Sequence, residues 1–405
     1  MERGYPVFKV TKKAEASLKN GHPWVFGDEV VSVEGAYKNG DLADVRGEKG
    51  NYLGTGFVND NSKIRVRIVS RNANDRFDEA FFARRVKYAV DYRRQVMGDE
   101  FSDCRLVFGE ADMLPGLTVD RFGSVLVTQS LCLGTDLRKD VIFRLLVDYL
   151  RELGEDIEAV FERNDVAIRE LEGMEQYKAF YEMQGLRTDL DGHIEITENG
   201  VKYDVDYING QKTGFFLDQK YNRLAVKRIA KGRRVLDCFT HTGAFALNAA
   251  MGGAEKVTAV DISASAIEKA RMNAALNGIE MDFIEADVFD LLTELAEKHS
   301  KDYDMIILDP PAFTKSGATA GNAYRGYKEI NMKAMKLLPR GGYLATCSCS
   351  HFMYDDMFRR MLGEAAHDAD VTLRQIEARQ QAPDHPILPT VRETDYLKFY
   401  LFQVV

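Results

Sequence analysis

From residue 233 onward, short apolar runs alternate with longer amphipathic stretches, and four of the runs end on an acid. R-R-V-L-D ends at Asp237, V-T-A-V-D at Asp261, M-D-F-I-E-A-D at Asp287 and Y-D-M-I-I-L-D at Asp309. Short apolar runs bounded by turn formers read as buried strands, and the amphipathic stretches between them as helices. The spacing predicts strands over 233–236, 256–260, 281–284 and 305–308, and helices over 243–251, 263–277 and 288–299. A helix over 328–337, the strand Y-L-A-T after Gly341 and Gly342, a helix over 353–362 and two late strands, 371–378 and 396–405, complete the series. Alternation of this kind implies an α/β domain with a mostly parallel sheet, here with a terminal antiparallel pair. Acids at strand C-termini face the crevice where such sheets bind ligands.

The pattern before residue 190 is different. Short period-two segments over 30–33, 41–45, 52–58 and 64–69, punctuated by glycine and asparagine, predict a small β-barrel domain over residues 1–75, with a short helix over 12–19. In I-R-V-R-I-V the apolar Ile64, Val66 and Ile68 face one way, and Arg65 and Arg67 face the other, where they are available to phosphates or to solvent. Residues 77–96 read as a basic amphipathic helix that braces a domain junction, approaches RNA or is simply solvated. It opens an α+β middle domain over 76–190, with strands around L-P-G-L-T-V-D-R-F-G and S-V-L-V-T-Q, a helix over 138–153 and a strand over 157–161. Glu162, Arg163 and Asn164 then read as a polar turn or a functional cluster. A hairpin over 193–208 begins the α/β domain, assigned to 191–405. After it, Gly210 and Gly214 allow a close backbone approach to a ligand, Phe215 and Phe216 read as core or pocket wall, and Asp218 reads as a helix cap.

Composition narrows the picture only a little. The chain has 405 residues, enough for two or three domains. Residues 1–75 carry 12 Lys or Arg against 10 Asp or Glu, so that part is slightly positive and the remainder carries -11 against the overall -9. That balance does not advertise nucleic-acid binding, yet leaves room for a local basic cleft. No apolar run approaches membrane-spanning length, and M-E-R-G-Y-P-V-F-K-V lacks a signal core. Five scattered cysteines, Cys104, Cys132, Cys238, Cys347 and Cys349, suit a reducing cytoplasm and show no zinc spacing, so neither a metal nor a membrane is expected.

The first strand is not followed by G-x-G-x-x-G or by a P-loop, which weakens dinucleotide and triphosphate readings. D-C-F-T-H-T-G, from Asp237 to Gly243, instead resembles the first motif of class I S-adenosylmethionine-dependent methyltransferases. D-P-P-A-F, from Asp309 to Phe313, resembles their target-base loop, in which an aromatic is free to stack on a base. T-C-S-C-S-H, from Thr346 to His351, resembles the nucleophile motif of RNA cytosine-5 methyltransferases; His351 reads as a loop contact. With G-H-P-W-V-F, L-P-G-L-T-V-D-R and T-G-F-F-L-D-Q, these motifs make the chain similar over its whole length to the bacterial 23S ribosomal RNA large-subunit cytosine-5 methyltransferase family.

The resemblance implies a PUA-like domain, an α+β middle domain and a Rossmann-like class I methyltransferase domain. It implies S-adenosyl-L-methionine as cofactor, 23S rRNA or a large-subunit precursor as partner, and a homodimer as the state its members often adopt. It places the cofactor on Asp237, Phe239 and Gly243 of the first motif, on Asp261 and Ile262, on Asp287, and on Phe216, Gln219 and Asp309. Cys347 is the expected nucleophile, Cys349 its competitor or the helper in release, and Asp309 the group beside the base. Two departures matter. Pro311 is followed by Ala312 rather than by a second cysteine, and the pI is about 5.5. Exocyclic-amine (guanine-N2) and uracil-5 RNA methylation therefore stand as alternatives, as does a non-catalytic RNA-binding assembly factor.

Overall fold

The computed structural model describes residues 3–314 and 320–405, apart from the side chain of residue 320. The chain forms two compact units: residues 1–196, 205–217 and 383–394 in the first, and residues 197–204, 218–382 and 395–405 in the second.

The first unit opens on a six-stranded sheet. Its strands are β1 (Val7–Val10), β2 (Trp24–Phe26), β3 (Val30–Glu34), β4 (Leu42–Arg46), β5 (Tyr52–Val58) and β6 (Ile64–Ser70), ordered β2-β6-β5-β4-β1-β3. Helix α1 (Lys12–Lys19), capped by the Thr11 side chain, drops Ala14 and Leu18 into a core with Phe8, Val25, Val45, Val66 and Ile68. The period-two reading of β6 holds on this face. On the other face Arg67 is buried, not offered to phosphates. Its guanidinium meets Glu110 at 2.9 Å and Glu172 at 3.2 Å, and Trp24 Nε1 donates to the same Glu110 at 2.9 Å. Arg65 is paired with Asp60. Burial under the following domain decides this, because an arginine shielded from water needs carboxylate partners.

Helix α2 (Glu79–Met97) follows, capped by Asp78. Arg93 on its inner face has no exposure, donates to Asp112 and reaches the carbonyl of Asp384 at 2.9 Å, so this position braces the unit. The 383–394 segment belongs to the first unit through these bonds, and through the Arg105 N–H donating to Asp384 at 2.8 Å. It lies outside the unit that holds most of residues 191–405, a long-range return that local sequence does not announce.

The middle sheet runs β11-β10-β9-β8-β7 through β7 (Asp103–Phe108), β8 (Leu117–Phe122), β9 (Val125–Ser130), β10 (Ala159–Asn164) and β11 (Tyr177–Phe180). Two short helices, α3 (Leu133–Asp136) and α5 (Ile168–Leu171), and the longer α4 (Lys139–Glu152) accompany it; α4 buries Ile142, Phe143, Leu146, Val147 and Leu150. Glu162, Arg163 and Asn164 are buried within β10 and are no turn. Lys139 Nζ and Tyr177 OH each donate to Glu162 at 2.8 Å, while Arg163 donates to the carbonyls of Tyr207 and Gly210. Polar residues inside a strand misread as a turn because their partners lie far along the chain.

The hairpin of β12 (His193–Glu198) and β13 (Val201–Asp206) matches its prediction. The second unit is built on a seven-stranded sheet of β14 (Arg234–Cys238), β15 (Lys256–Asp261), β16 (Asp282–Glu285), β17 (Met305–Leu308), β18 (Tyr343–Ser348), β19 (Leu373–Arg379) and β20 (Lys398–Val404). The order is β16-β15-β14-β17-β18-β20-β19; the first five run parallel, and β20 is antiparallel to both neighbours. Both faces are covered, as parallel strands require. Val235, Met305, Ile307 and Ala345 pack against α6 (Lys220–Ile229) and α7 (Ala244–Met251). Leu236, Ile306, Leu308 and Leu344 pack in the opposite core, which takes in α9 (Val288–Glu297), α10 (Ala320–Leu337) and α11 (Asp355–Asp368). Helix α8 (Ala264–Leu276) lies between β15 and β16 in the chain. Helix α10 starts well before the predicted residue 328, and α11 runs six residues past 362.

Candidate active site

The strand order reverses between β14 and β17, so a crevice opens at their C-terminal ends. Asp237 closes β14 with no exposure. Its Oδ2 accepts from Thr240 Oγ1 at 2.6 Å and from the Ala246 N–H at 2.9 Å, while Oδ1 is buried and has no hydrogen-bond partner among the described residues. Burial pushes its carboxyl up to about 7, against the Thr240 bond; the negative charges of Asp309 and Asp261 add to the rise.

The loop after Asp237 is tightly wound. Phe239 and His241 both hold positive φ, 63° and 50°, a conformation that side chains resist and that clusters at functional sites. Gly243, at φ 82°, starts α7, and a Cβ there would approach that of Ala270 to 3.1 Å. Asp261 closes β15. It accepts from the His241 N–H and the Ser263 N–H, each at 2.9 Å, and so fixes the loop of the neighbouring strand. Ile262, beside it, is 67% exposed and supplies an open apolar surface at that strand end. Asp287 caps α9 by accepting from the Phe289 N–H at 2.7 Å.

Asp309 follows β17. Gln219 Nε2 donates to its Oδ1 at 3.0 Å, and Asn222 donates to the other end of the same amide at 2.6 Å. The carboxyl is pushed up to about 7 by burial and then by the charge of Asp218, against the Arg223 cation. Asp218 does not cap a helix: α6 begins at Lys220, and the Asp218 carboxylate accepts from Tyr396 OH at 2.6 Å. Phe313 is half-buried. It joins an aromatic cluster with Tyr327, Phe289 and Phe239, at centroid distances of 4.5, 5.7 and 6.5 Å.

The two cysteines separate at the end of β18. Cys347 has no exposure and lies in the core with Ala345 and Phe399, and its thiol feels the nearby Asp309 and Gln219. Burial raises its thiol well above the usual range. Cys349 lies past the strand end and is partly exposed, with Sγ 4.0 Å from the Pro310 carbonyl. Its thiol is pushed up to about 12, by burial first and then by the charges of Asp309 and Asp218. His351 is exposed with its ring against Tyr396.

Phe215 and Phe216 belong to the first unit, and both are largely buried. A Cβ at Gly210 would strike the Asp206 carbonyl, and one at Gly214, φ 121°, would meet Val205 at 2.8 Å; these glycines serve their own loop. Sequence reasoning missed Lys398, a buried lysine on β20 whose Nζ donates to the carbonyls of Ser350 and Tyr396 at 2.8 Å each. A lysine in an apolar strand, Y-L-K-F-Y-L-F, was the available signal.

A family profile described as S-adenosylmethionine-dependent methyltransferase matches residues 169–403, and one described as PUA-like domain matches residues 8–71. The chain is 39% identical over 407 residues to Ribosomal RNA large subunit methyltransferase I of Klebsiella pneumoniae (strain 342), covering 99% of each. The chain belongs to this methyltransferase family. The protein of the same name from Shigella dysenteriae serotype 1 is 39% identical over 402 residues, covering 98% of each. A putative S-adenosylmethionine-dependent methyltransferase from Streptococcus mutans shares the fold, with a TM-score of 0.81 at 21% identity over 98% of this chain and 100% of that one. SMU.776, a putative methyltransferase solved in complex with SAH, is similar to the same degree, at 20% identity. The family's cofactor is S-adenosylmethionine, and acceptor-rich strand ends suit such a cationic, hydroxyl-bearing nucleoside. Among the described residues no helix is long and apolar enough to cross a membrane, and no three His, Cys, Asp or Glu side chains gather as metal ligands.

Proposed function

We propose that this methyltransferase forms 5-methylcytidine in 23S rRNA, with a thiol of the C-S-C-S turn adding to C6 of the target cytosine. The observation that carries the proposal is the meeting of Asp309, Cys347 and Cys349 at adjoining strand ends, beside the acids that suit the cofactor. S-adenosylmethionine supplies an electrophilic methyl group. On this chain, the unpartnered Oδ1 of Asp237 would receive its ammonium, Asp261 its ribose hydroxyls and Asp287 its adenine amino group; Phe239, Gly243 and Ile262 would line its bed.

C5 of cytosine is too weak a nucleophile to take a methyl group directly. A thiolate adding to C6 forms an S–C6 bond and shifts the C5–C6 π electrons towards C5. C5 would then bond the methyl as the methyl–sulfonium bond breaks, the electron pair of that bond staying on the cofactor's sulfur. Loss of the C5 proton to a base returns an electron pair to the ring, and the S–C6 bond breaks to release the thiolate. Asp309, held by Gln219 and inclined to keep its proton near neutrality, is suited to donate to N3 as charge develops there. Exposure supports Cys349 for the attack and turns the preference away from Cys347, whose sulfur is enclosed. Ala312 after Pro311, where a second cysteine would stand, favours a second reading: cysteine-independent transfer to an exocyclic amine.

The test is incubation with methyl-labelled cofactor and 23S rRNA, as transcript and as large-subunit particles, followed by digestion to nucleosides. Label in 5-methylcytidine, lost with Cys349→Ser, is expected. Label in N2-methylguanosine, or transfer indifferent to both cysteines, overturns the proposal in favour of amine chemistry.

A further inference from the structure

Lys398 is only 4% exposed, yet among the described residues no carboxylate lies within ion-pair distance of its ammonium. Two of its protons go to the carbonyls of Ser350 and Tyr396. An ammonium removed from water without a carboxylate is costly, and strand β20 offers no packing reason for a charge. The register places it opposite Ser348, and its head bonds the carbonyl of the residue after Cys349. We propose that Lys398 is a positioning residue for Cys349: its cation favours the thiolate, and its two carbonyl bonds hold the turn that presents the sulfur.

The surrounding charges make such a cation necessary. Asp309 and Asp218 both oppose ionisation of Cys349, and the Lys398 cation favours it. Tyr327 from α10 and Cys347 from β18 are also coupled to this thiol, and His351 follows it on the same turn. Asp395, Asp355 and Cys349 act on Lys398 in return, and burial still pulls its ammonium down to about 8. Lysine and cysteine are therefore brought closer in proton affinity than either would be alone in this site.

The inference rests on Cys349 as the attacking thiol, so its test uses neither RNA nor turnover. The full chain is alkylated with iodoacetamide across the pH range, and the Cys349 peptide is quantified by mass spectrometry. Lys398→Gln, an uncharged donor, is expected to slow Cys349 alkylation at pH 8 by tenfold or more and to move its pH midpoint upward. Lys398→Arg is expected to restore most of the rate. Unchanged cofactor binding and continued protection of Cys347 certify the fold of each variant. Identical pH profiles for wild type and Lys398→Gln overturn the proposal. Should the variants not fold, the wild-type profile decides. Lys398 losing its proton must flatten the rise above pH 8, and a single-proton curve with no flattening overturns the proposal equally. Full methyl transfer by Cys349→Ser would instead remove the reading beneath it and leave the alkylation result standing.

Discussion

Cys347 and Cys349 stand two residues apart, yet the first is wholly enclosed and the second reaches solvent. Strand β18 ends at Ser348, and the turn beyond it carries Cys349 out of the core towards the Pro310 carbonyl. The two thiols therefore have different work available to them. Cys349→Ser is expected to lower kcat by on the order of 10³-fold or more. Cys347→Ala is expected to stay within about tenfold and to cost roughly 1 kcal/mol of stability. Steady-state methyl transfer and denaturant titration check the pair.

Asp237 predicts a stability change with a definite pH signature. Its carboxyl is raised to about 7 in the fold, so the protonated form is favoured there. The stability this gives is full below the unfolded value, about 4, and is lost as pH rises through about 7. Asp237→Asn does not titrate. Without cofactor it should become more stable than wild type as pH rises across that window, by on the order of 1–3 kcal/mol above pH 7. It should also bind S-adenosylmethionine much less tightly. Thermal melts at pH 5 and pH 8, with and without cofactor, read both effects.

Asp309 predicts a break in the pH profile of kcat/KM. Its raised carboxyl keeps a proton up to about pH 7, and donation to the base needs that proton. Thiolate formation at Cys349 makes the rate rise with pH, and loss of the Asp309 proton should level that rise above about 7. Asp309→Asn should lack the break while losing about 10²–10⁴-fold in rate. The pH profile of each under single-turnover conditions gives the comparison.

Arg67 predicts a structural defect rather than an RNA-binding one. Arg67→Ala leaves Glu172 and Glu110 without their shared cation, and the break should cost about 3–5 kcal/mol. Urea titration measures the loss. The salt dependence of RNA affinity should be unchanged where the variant is folded, because Arg67 has no free face for a phosphate.

The second unit was legible in outline. The strands of its parallel series, the hairpin over 193–208 and the closing antiparallel pair stand within a few residues of their predicted positions. Period and turn chemistry are local, and buried parallel strands leave an unbroken apolar signal. Asp237, Asp261 and Asp309 were found because strand ends are sequence landmarks. Helix α10 was read short because its first turns carry G-N-A-Y-R-G-Y, a stretch with glycines and little amphipathic signal.

Several roles were not legible, for one reason: burial and partners are made by distant segments. The arginine face of β6 looks solvent-exposed until Glu110 and Glu172 arrive over it. Glu162–Asn164 looks like a turn until Lys139 and Tyr177 satisfy it within a strand. Residues 383–394 belong with the first unit because of Arg93 and Arg105, almost 300 positions earlier.

By itself the sequence determined the family, the element order and the acids that end the strands, since these follow from local pattern and motif. Only the tertiary structure decided which sulfur is open, which carboxyls hold their protons near neutrality and which buried lysine stands beside the thiol. Those properties depend on desolvation and on charges brought together from β17, β18 and β20, and no linear pattern carries that information.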